Sequence, residues 1–290
     1  MCLLWGIPYL LIKVAVAELS PAVLVFARTA AAAALLLPVA ASRGQLRPLL
    51  ARWRPLVAFA ALELALPWLL LARAERSLSS SLTGLLVAAV PMVAALASRL
   101  LGEQDRLDRG RLFGLVVGLA GVAVLLGLDL GGEGLAAAEV AVVVIGYATG
   151  PLIITRYLQG VPALAVIAGS LGLTALVYAP FAAASWPSHL PSAKVVASVV
   201  VLTLACTVAA FLVFFALIAE AGPQRALVIT YVNPAVAVSL GVVLLGEHLT
   251  AGLLVGFPLI LVGCVLATRR SAEVGAPAQE RVAEPGRLSR

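Results

Sequence analysis

Apolar residues run along this chain in blocks of about 20, the length an α-helix needs to cross a bilayer, and polar residues gather in the short links between the blocks. Ten blocks are drawn, at 2–17, 21–40, 55–73, 79–101, 111–128, 135–156, 161–183, 194–218, 223–246 and 250–268. The pattern predicts an all-α integral membrane protein with ten transmembrane helices. The first block is short for a span, so we expect the native start upstream of Met1. Ala15-Val16-Ala17 resembles a leader cleavage site, but no basic stretch precedes the apolar run and Lys13 interrupts it, so the segment reads as a retained helix. Residues 269–290 hold Ala, Pro, Glu and Arg without an apolar stripe and read as a disordered cytoplasmic tail.

Composition sharpens the class. The chain of 290 residues is 62% hydrophobic and 12% charged, with a mean hydropathy of +1.10. A soluble domain carries about 25% charged residues, so this one has too few to cover a water-facing surface. The formal net charge of +6 does not point to nucleic acid, because the arginines sit in the links. With both termini on the cytoplasmic side, fifteen of the 20 basic residues fall in cytoplasmic links and tail. Outer links hold only Arg73, Arg76 and Lys194, and Lys13 and Arg28 lie within spans. That asymmetry predicts a multi-pass protein of the cell (inner) membrane with cytoplasmic N- and C-termini. Cys2, Cys206 and Cys264 occur singly in separate apolar segments and read as packing residues.

A repeat underlies the pattern. "VPMVAALASRLLGE" at 90–103 and "NPAVAVSLGVVLLGE" at 233–247 each carry an early proline, Pro91 or Pro234, and end in Leu-Leu-Gly-Glu. Gly110, Gly114 and Gly121 follow the first, and Gly252, Gly256 and Gly263 follow the second, each at the same offset of 142 positions. Matching features in one register indicate a duplicated unit. The expected organisation is one five-helix repeat at 1–128, a second at 129–268, and the tail. An odd number of spans per unit makes the copies inverted, an arrangement of secondary transporters that places substrate near the midplane. The glycines, with Gly118, read as helix-packing faces. The two prolines are expected to bend the fourth and ninth helices at equivalent depths, either as tolerated kinks or as bends presenting backbone carbonyls to a cavity.

The segments "WGIPYLLIK", "SPAVLVFAR", "SSSLTGLLVAAVPMVAALASRLLGE", "GLVVGLAGV", "GPQRALVITYVNPAVAVSLGVVLLGE" and "GFPLILVGCVL" resemble the EamA-type exporters of the drug/metabolite transporter (DMT) superfamily. The resemblance spans residues 1–268, and its most specific part is the pair of Pro…Leu-Gly-Glu segments. It implies a ten-helix carrier of two inverted five-helix repeats that moves small metabolites or amino acids outward across a bacterial inner membrane. The link "GEQDRLDRGRLFG" is two residues longer than its counterpart "GEHLTAGLLVG", and Glu63 is not a residue that the family suggests.

Candidate chemistry lies in the ionised residues of the spans. Lys13 and Arg28 sit seven and eight residues from Ser20, the turn of the first hairpin, hence at one depth. A charge at a helix centre costs about 2.5–3.5 kcal/mol even on the lenient insertion scale, so anions are expected nearby, and Glu63 and Glu139 are the candidates. Long basic chains snorkelling to the interface and static ion pairing are the other readings. Trp5, Tyr9 and Lys13 share one helical stripe, suited to a zwitterionic or amphiphilic solute or simply to packing. Tyr147, Thr207, Tyr231 and Asn233 complete the candidate substrate-binding set. Glu63 is the candidate for proton coupling, its protonation set by cavity hydration.

Other functions lack their residues. There is no GxxxxGK[ST] loop, no GxSxG elbow and no HExxH, and His189 and His248 lie in separate links, so neither cofactor nor metal is expected. The Asp105 and Asp108 link reads as solvated. The expected function is a secondary transporter by alternating access, exporting a small metabolite, amino acid or drug-like solute. The alternative is an intramembrane enzyme acting on a lipid-linked substrate, for which no catalytic cluster is visible. Expected partners are the lipid bilayer and a small-molecule substrate; a homodimer remains open.

Overall fold

A computed structural model describes residues 1–100, 109–129, 132–221 and 229–268. Among the described residues all regular structure is helical. The principal helices are α1 (Cys2–Ala15), α2 (Pro21–Ser42), α3 (Trp53–Ala74), α4 (Ser80–Ala97), α5 (Arg109–Asp129), α6 (Gly134–Tyr157), α7 (Ala163–Ala184), α8 (Ala193–Phe214), α9 (Ile229–Leu245) and α10 (Ala251–Thr268). Each overlies an apolar block, and a short helix at Leu46–Leu50 precedes α3. Eight are long and apolar enough to cross a membrane; the first and ninth are shorter, at Cys2–Ala15 and Val232–Leu245. Leu176, Val243 and Phe113 are among the large apolar side chains left exposed, as lipid contact requires. The expected tail and the link holding Glu103, Asp105 and Asp108 lie outside the described residues.

Helix starts are set by serines. Ser20, Ser79 and Ser192 are the N-caps of α2, α4 and α8, and their hydroxyls accept from the backbone N–H three residues on. Gly44 turns the chain out of α2 at φ 67°, a region other residues rarely enter. The turns fall into two groups. One end of the bundle gathers Ser20, Ser185, Ser192, the α3–α4 turn and the α9–α10 turn (the Ser20 end); the other holds Arg43, Arg52 and Tyr157 (the Arg43 end).

Packing follows an exchange between halves. Helices α2 and α7 pair, as do α5 and α10. Helix α1 lies on α8 and α9, while its counterpart α6 lies on α3 and α4. Gly118 and Gly263 meet backbone to backbone: a methyl at Gly118 would sit 3.5 Å from the Gly263 Cα, and one at Gly256 3.0 Å from the Gly121 carbonyl. Gly114 likewise faces the backbone of Ala267. Gly252 is buried in α10, whereas Gly110 is exposed at the start of α5.

The two prolines differ. Helix α4 is interrupted between Val87 and Val90, just ahead of Pro91, and the Ala88 carbonyl accepts instead from the Cys264 thiol at 3.1 Å. Helix α9 runs unbroken through Pro234. Bends at equivalent depths were expected; α4 breaks ahead of its proline, and α9 keeps its helical bonding through its own. Pro234 is the sixth residue of the described α9, so its missing N–H costs the helix one bond, to the carbonyl of residue 230.

Candidate functional site

Two helices loosen midway. Residues Ala60–Ala65 of α3 and Leu204–Ala209 of α8 are π-helical, a state that recurs at functional sites. Glu63 and Thr207 stand in the two segments, 144 positions apart, the same offset that separates Glu103 from Glu247. In α3 the cause is readable. Pro67 has no N–H, so the Leu62 carbonyl loses its donor five residues on, while the Leu66 N–H reaches Ala61. Helix α6 accommodates the bulge with Gly146 and Gly150, where a methyl would overlap the Leu62 carbonyl and the Glu63 carboxylate respectively.

Arg28, 8% exposed, bridges the halves. Its Nε donates to Thr207 Oγ1 at 2.8 Å, and its guanidinium carbon stands 3.7 Å from the centroid of Trp68. The Thr207 hydroxyl donates in turn to the Leu202 carbonyl at 2.8 Å, fixing its lone pairs toward Arg28. The stack on Trp68 offsets part of the burial cost, by about 2 kcal/mol for a desolvated cation–π pair. Among the described residues no acceptor is bonded to the two terminal nitrogens of Arg28. Tyr147 on α6 lies beside Trp68 and within electrostatic reach of Arg28 and Glu63. One Glu63 carboxylate oxygen is buried without a partner.

Lys13 takes a different route. Its ammonium donates to the carbonyls of Glu75 and Leu78, both at 2.7 Å, capping the end of α3 and the turn after it. Beside it the Glu75 side chain is fully buried, and neither carboxylate oxygen has a hydrogen-bond partner. Across the halves, the Glu247 carboxylate accepts from the Ser80 N–H at 2.7 Å, the Ser81 N–H at 3.0 Å and the Ser81 hydroxyl at 2.5 Å, sealing the start of α4. Glu18 does the same for α8, accepting from the Ser192 N–H and hydroxyl at 2.7 and 2.6 Å.

The expected cluster of Lys13, Arg28, Glu63 and Glu139 is therefore divided. Lys13 joins the α3–α4 turn, Arg28 and Glu63 share the neighbourhood of Tyr147, and Glu139 pairs with Arg73 at 2.8 Å. Arg73 was available because α3 carries it to the same end as the start of α6. That ion pair borders an open cleft of about 500 Å³ with Ser20, Arg76 and Glu133. The stripe of α1 also splits. Trp5 meets Phe211 of α8 edge-on and Phe214 at a tilt, with centroids at 5.9 and 4.8 Å, while Tyr9 is buried 3.3 Å from where a Gly84 methyl would stand. The Asn233 carbonyl closes on Gly6 at the α1–α9 crossing, and the side chain of Tyr231 lies outside the described residues.

Trp68, Glu75 and the Ser80–Ser81 pair escaped the sequence reading. Pro67 so soon after an intramembrane glutamate was the available sign of the π bulge. Glu75 carried none, because Arg73 and Arg76 flank it and make the stretch look like a solvated link. Among the described residues no group of three or more His, Cys, Asp or Glu could hold a metal.

Apolar helices of spanning length enclosing buried charge define a multi-pass membrane protein. The EamA-like transporter family matches residues 1–127 and 135–269, and the chain belongs to it. The uncharacterised inner membrane transporter YedA of Escherichia coli (strain K12) is 30% identical over 275 residues, which is 92% of this chain and 87% of YedA. A solved crystal structure shares the fold with a TM-score of 0.67 at 23% identity, covering 92% of this chain and 93% of that one.

Proposed function

We propose that the protein is a secondary carrier of the inner membrane that exports a small metabolite, amino acid or drug-like solute by alternating access. Ten helices cross the bilayer as two inverted five-helix repeats, 1–128 and 129–268, with the Ser20 end outside and both termini in the cytoplasm. The relative's inner-membrane description, the exchanged packing of the halves and the weight of arginine at the Arg43 end support this reading.

The observation that carries it is Arg28. A buried guanidinium held by Thr207 of the other half and by Trp68 of its own, with its terminal nitrogens unclaimed, is a prepared fork for an anionic group of a solute. Tyr147 and Glu63 border the same place and would meet the remainder of a zwitterion. Because Arg28 touches both halves, solute bound there senses their relative position, which alternating access requires.

The test begins with metabolite accumulation in cells with and without the gene. The solute that differs most is then used in counterflow with purified protein in liposomes. Labelled solute should enter unaltered, and Arg28→Ala should lower the initial rate by 100-fold or more, about 2.7 kcal/mol. Arg28→Lys, which keeps charge without the fork, should recover a minor part. Unchanged counterflow in Arg28→Ala would refute the site, and chemical conversion of the solute would favour an enzyme.

A further inference from the structure

The Lys13–Glu75 pair does something that capping a helix does not require. Glu75 follows the last residue of α3, its side chain is wholly buried, and both its oxygens lack partners. Lys13, the cation that faces it, spends its ammonium on two main-chain carbonyls and gives the carboxyl group no side-chain hydrogen bond. An isolated buried carboxylate costs several kcal/mol or more, so this arrangement suits a neutral acid. The groups that face it are Lys13 and Tyr9 from α1, Tyr147 from α6 and Glu247 from the α9–α10 turn; at the start of α4, Ser80 and Ser81 bind Glu247.

We propose that Glu75 is a proton-binding site through which the carrier senses or uses the proton gradient. The proposal rests on the carrier reading above and adds its co-substrate. In the packed state one Glu75 oxygen carries the proton. When the O–H bond breaks, the proton leaves to water, the carboxylate keeps the electron pair, and the Lys13 ammonium turns from the Glu75 and Leu78 carbonyls to the new anion. Those carbonyls then lose their cap, the new charge repels Glu247, and the contact between the α3–α4 turn and the other half weakens. Burial holds the carboxyl group well above the usual carboxylate range, with Lys13 opposing and Glu247 reinforcing the effect.

The experiment is pH-titrated infrared difference spectroscopy of the full chain in lipid nanodiscs, reading the carbonyl stretch of protonated carboxyl groups with protons as the only ligand. The wild type should lose such a band as pH rises. Glu75→Gln should lack that component, and Glu63→Gln should retain it. Lys13→Met, which removes the opposing cation, should move the component up by about one pH unit or more. Identical titrations of wild type and Glu75→Gln overturn the site, as does a Lys13→Met titration that does not move. Failure of the carrier reading would register separately, as absent solute counterflow with the infrared component intact.

Discussion

Two corresponding corners of the molecule hold the same residue types in opposite circumstances. Near the end of the first helix of each half stands a cation, Lys13 in one and Arg156 in the other. Near the end of the third stands a glutamate, Glu75 or Glu220. The Lys13–Glu75 corner is packed: Glu75 is fully buried and Lys13 is bonded to the turn beside it. At the Arg43 end both Arg156 and Glu220 are exposed. On the alternating-access reading proposed above, unequal surroundings for equivalent sequence are what one state of an inverted-repeat carrier would show, with one corner shut and its counterpart not. On that reading burial here belongs to a conformation and is not encoded in the residues alone.

The largest expected effect tests that inequality directly. In a background without native cysteines, Glu220→Cys should react with a membrane-impermeant maleimide about a hundredfold faster than Ser80→Cys, since labelling of a buried site waits on opening. Ser80 is fully buried at the packed corner, so it reports there without removing Glu75. Equal rates would mean that the two corners are shut or open alike, and the comparison would lapse.

Next in size is the energetic difference between the two cations. Lys13→Met leaves the Glu75 and Leu78 carbonyls without their donor and should cost about 1–3 kcal/mol, the penalty for an orphaned acceptor away from water. Arg156→Met, at an exposed site, should stay within about 0.5 kcal/mol. Thermal melts in detergent read both. A smaller loss for Lys13 than for Arg156 would place the strong corner at the Arg43 end.

These contrasts also show what the sequence could and could not display. The helices were legible because bilayer thickness imposes block length, and the Leu-Gly-Glu echo with its glycine offsets was legible because close packing tolerates few residue types. The grouping of charges was not. Depth along a span placed Lys13 level with Arg28, but helix rotation decides neighbours, and it turned one toward the α3–α4 turn and the other toward Thr207. Glu139 looked like a partner for the buried cations until α3 delivered Arg73 to it. Glu247 was visible only as a repeat marker, yet it seals α4 from the opposite half.

A third prediction separates the π bulge from ordinary packing. Gly146→Ala drives a methyl into the Leu62 carbonyl, a backbone atom that cannot swing aside, and should cost about 1–3 kcal/mol. Gly127→Ala, in α5 with open space around it, should be neutral or stabilise by up to about 1 kcal/mol through helix propensity. Melting temperatures of the two variants check this, and similar values would mean that α3 relaxes its bulge at little cost.

The smallest effect is a pair of opposed slopes in stability against pH. Burial pushes the Glu247 carboxyl group up, but hydrogen bonds from Ser81 and Ser80 outweigh it and hold the group below its ordinary range. Its contribution is therefore complete above the unfolded carboxylate pKa and fades as pH falls through the lower folded value. Glu75, held high by burial against the pull of Lys13, acts in the other direction. The folded protein keeps the Glu75 proton after the unfolded chain has released it, so stability from that site is full below the unfolded pKa. It declines as pH rises toward the folded value. Glu247→Gln should flatten the acid limb of the melting profile and spare the alkaline limb, and Glu75→Gln should do the reverse. The Glu247 effect will be slight, because that carboxylate is only partly buried and water screens it. If either variant flattens both limbs, the two carboxylates titrate as one coupled pair across the boundary between halves, and the packed corner is a single unit.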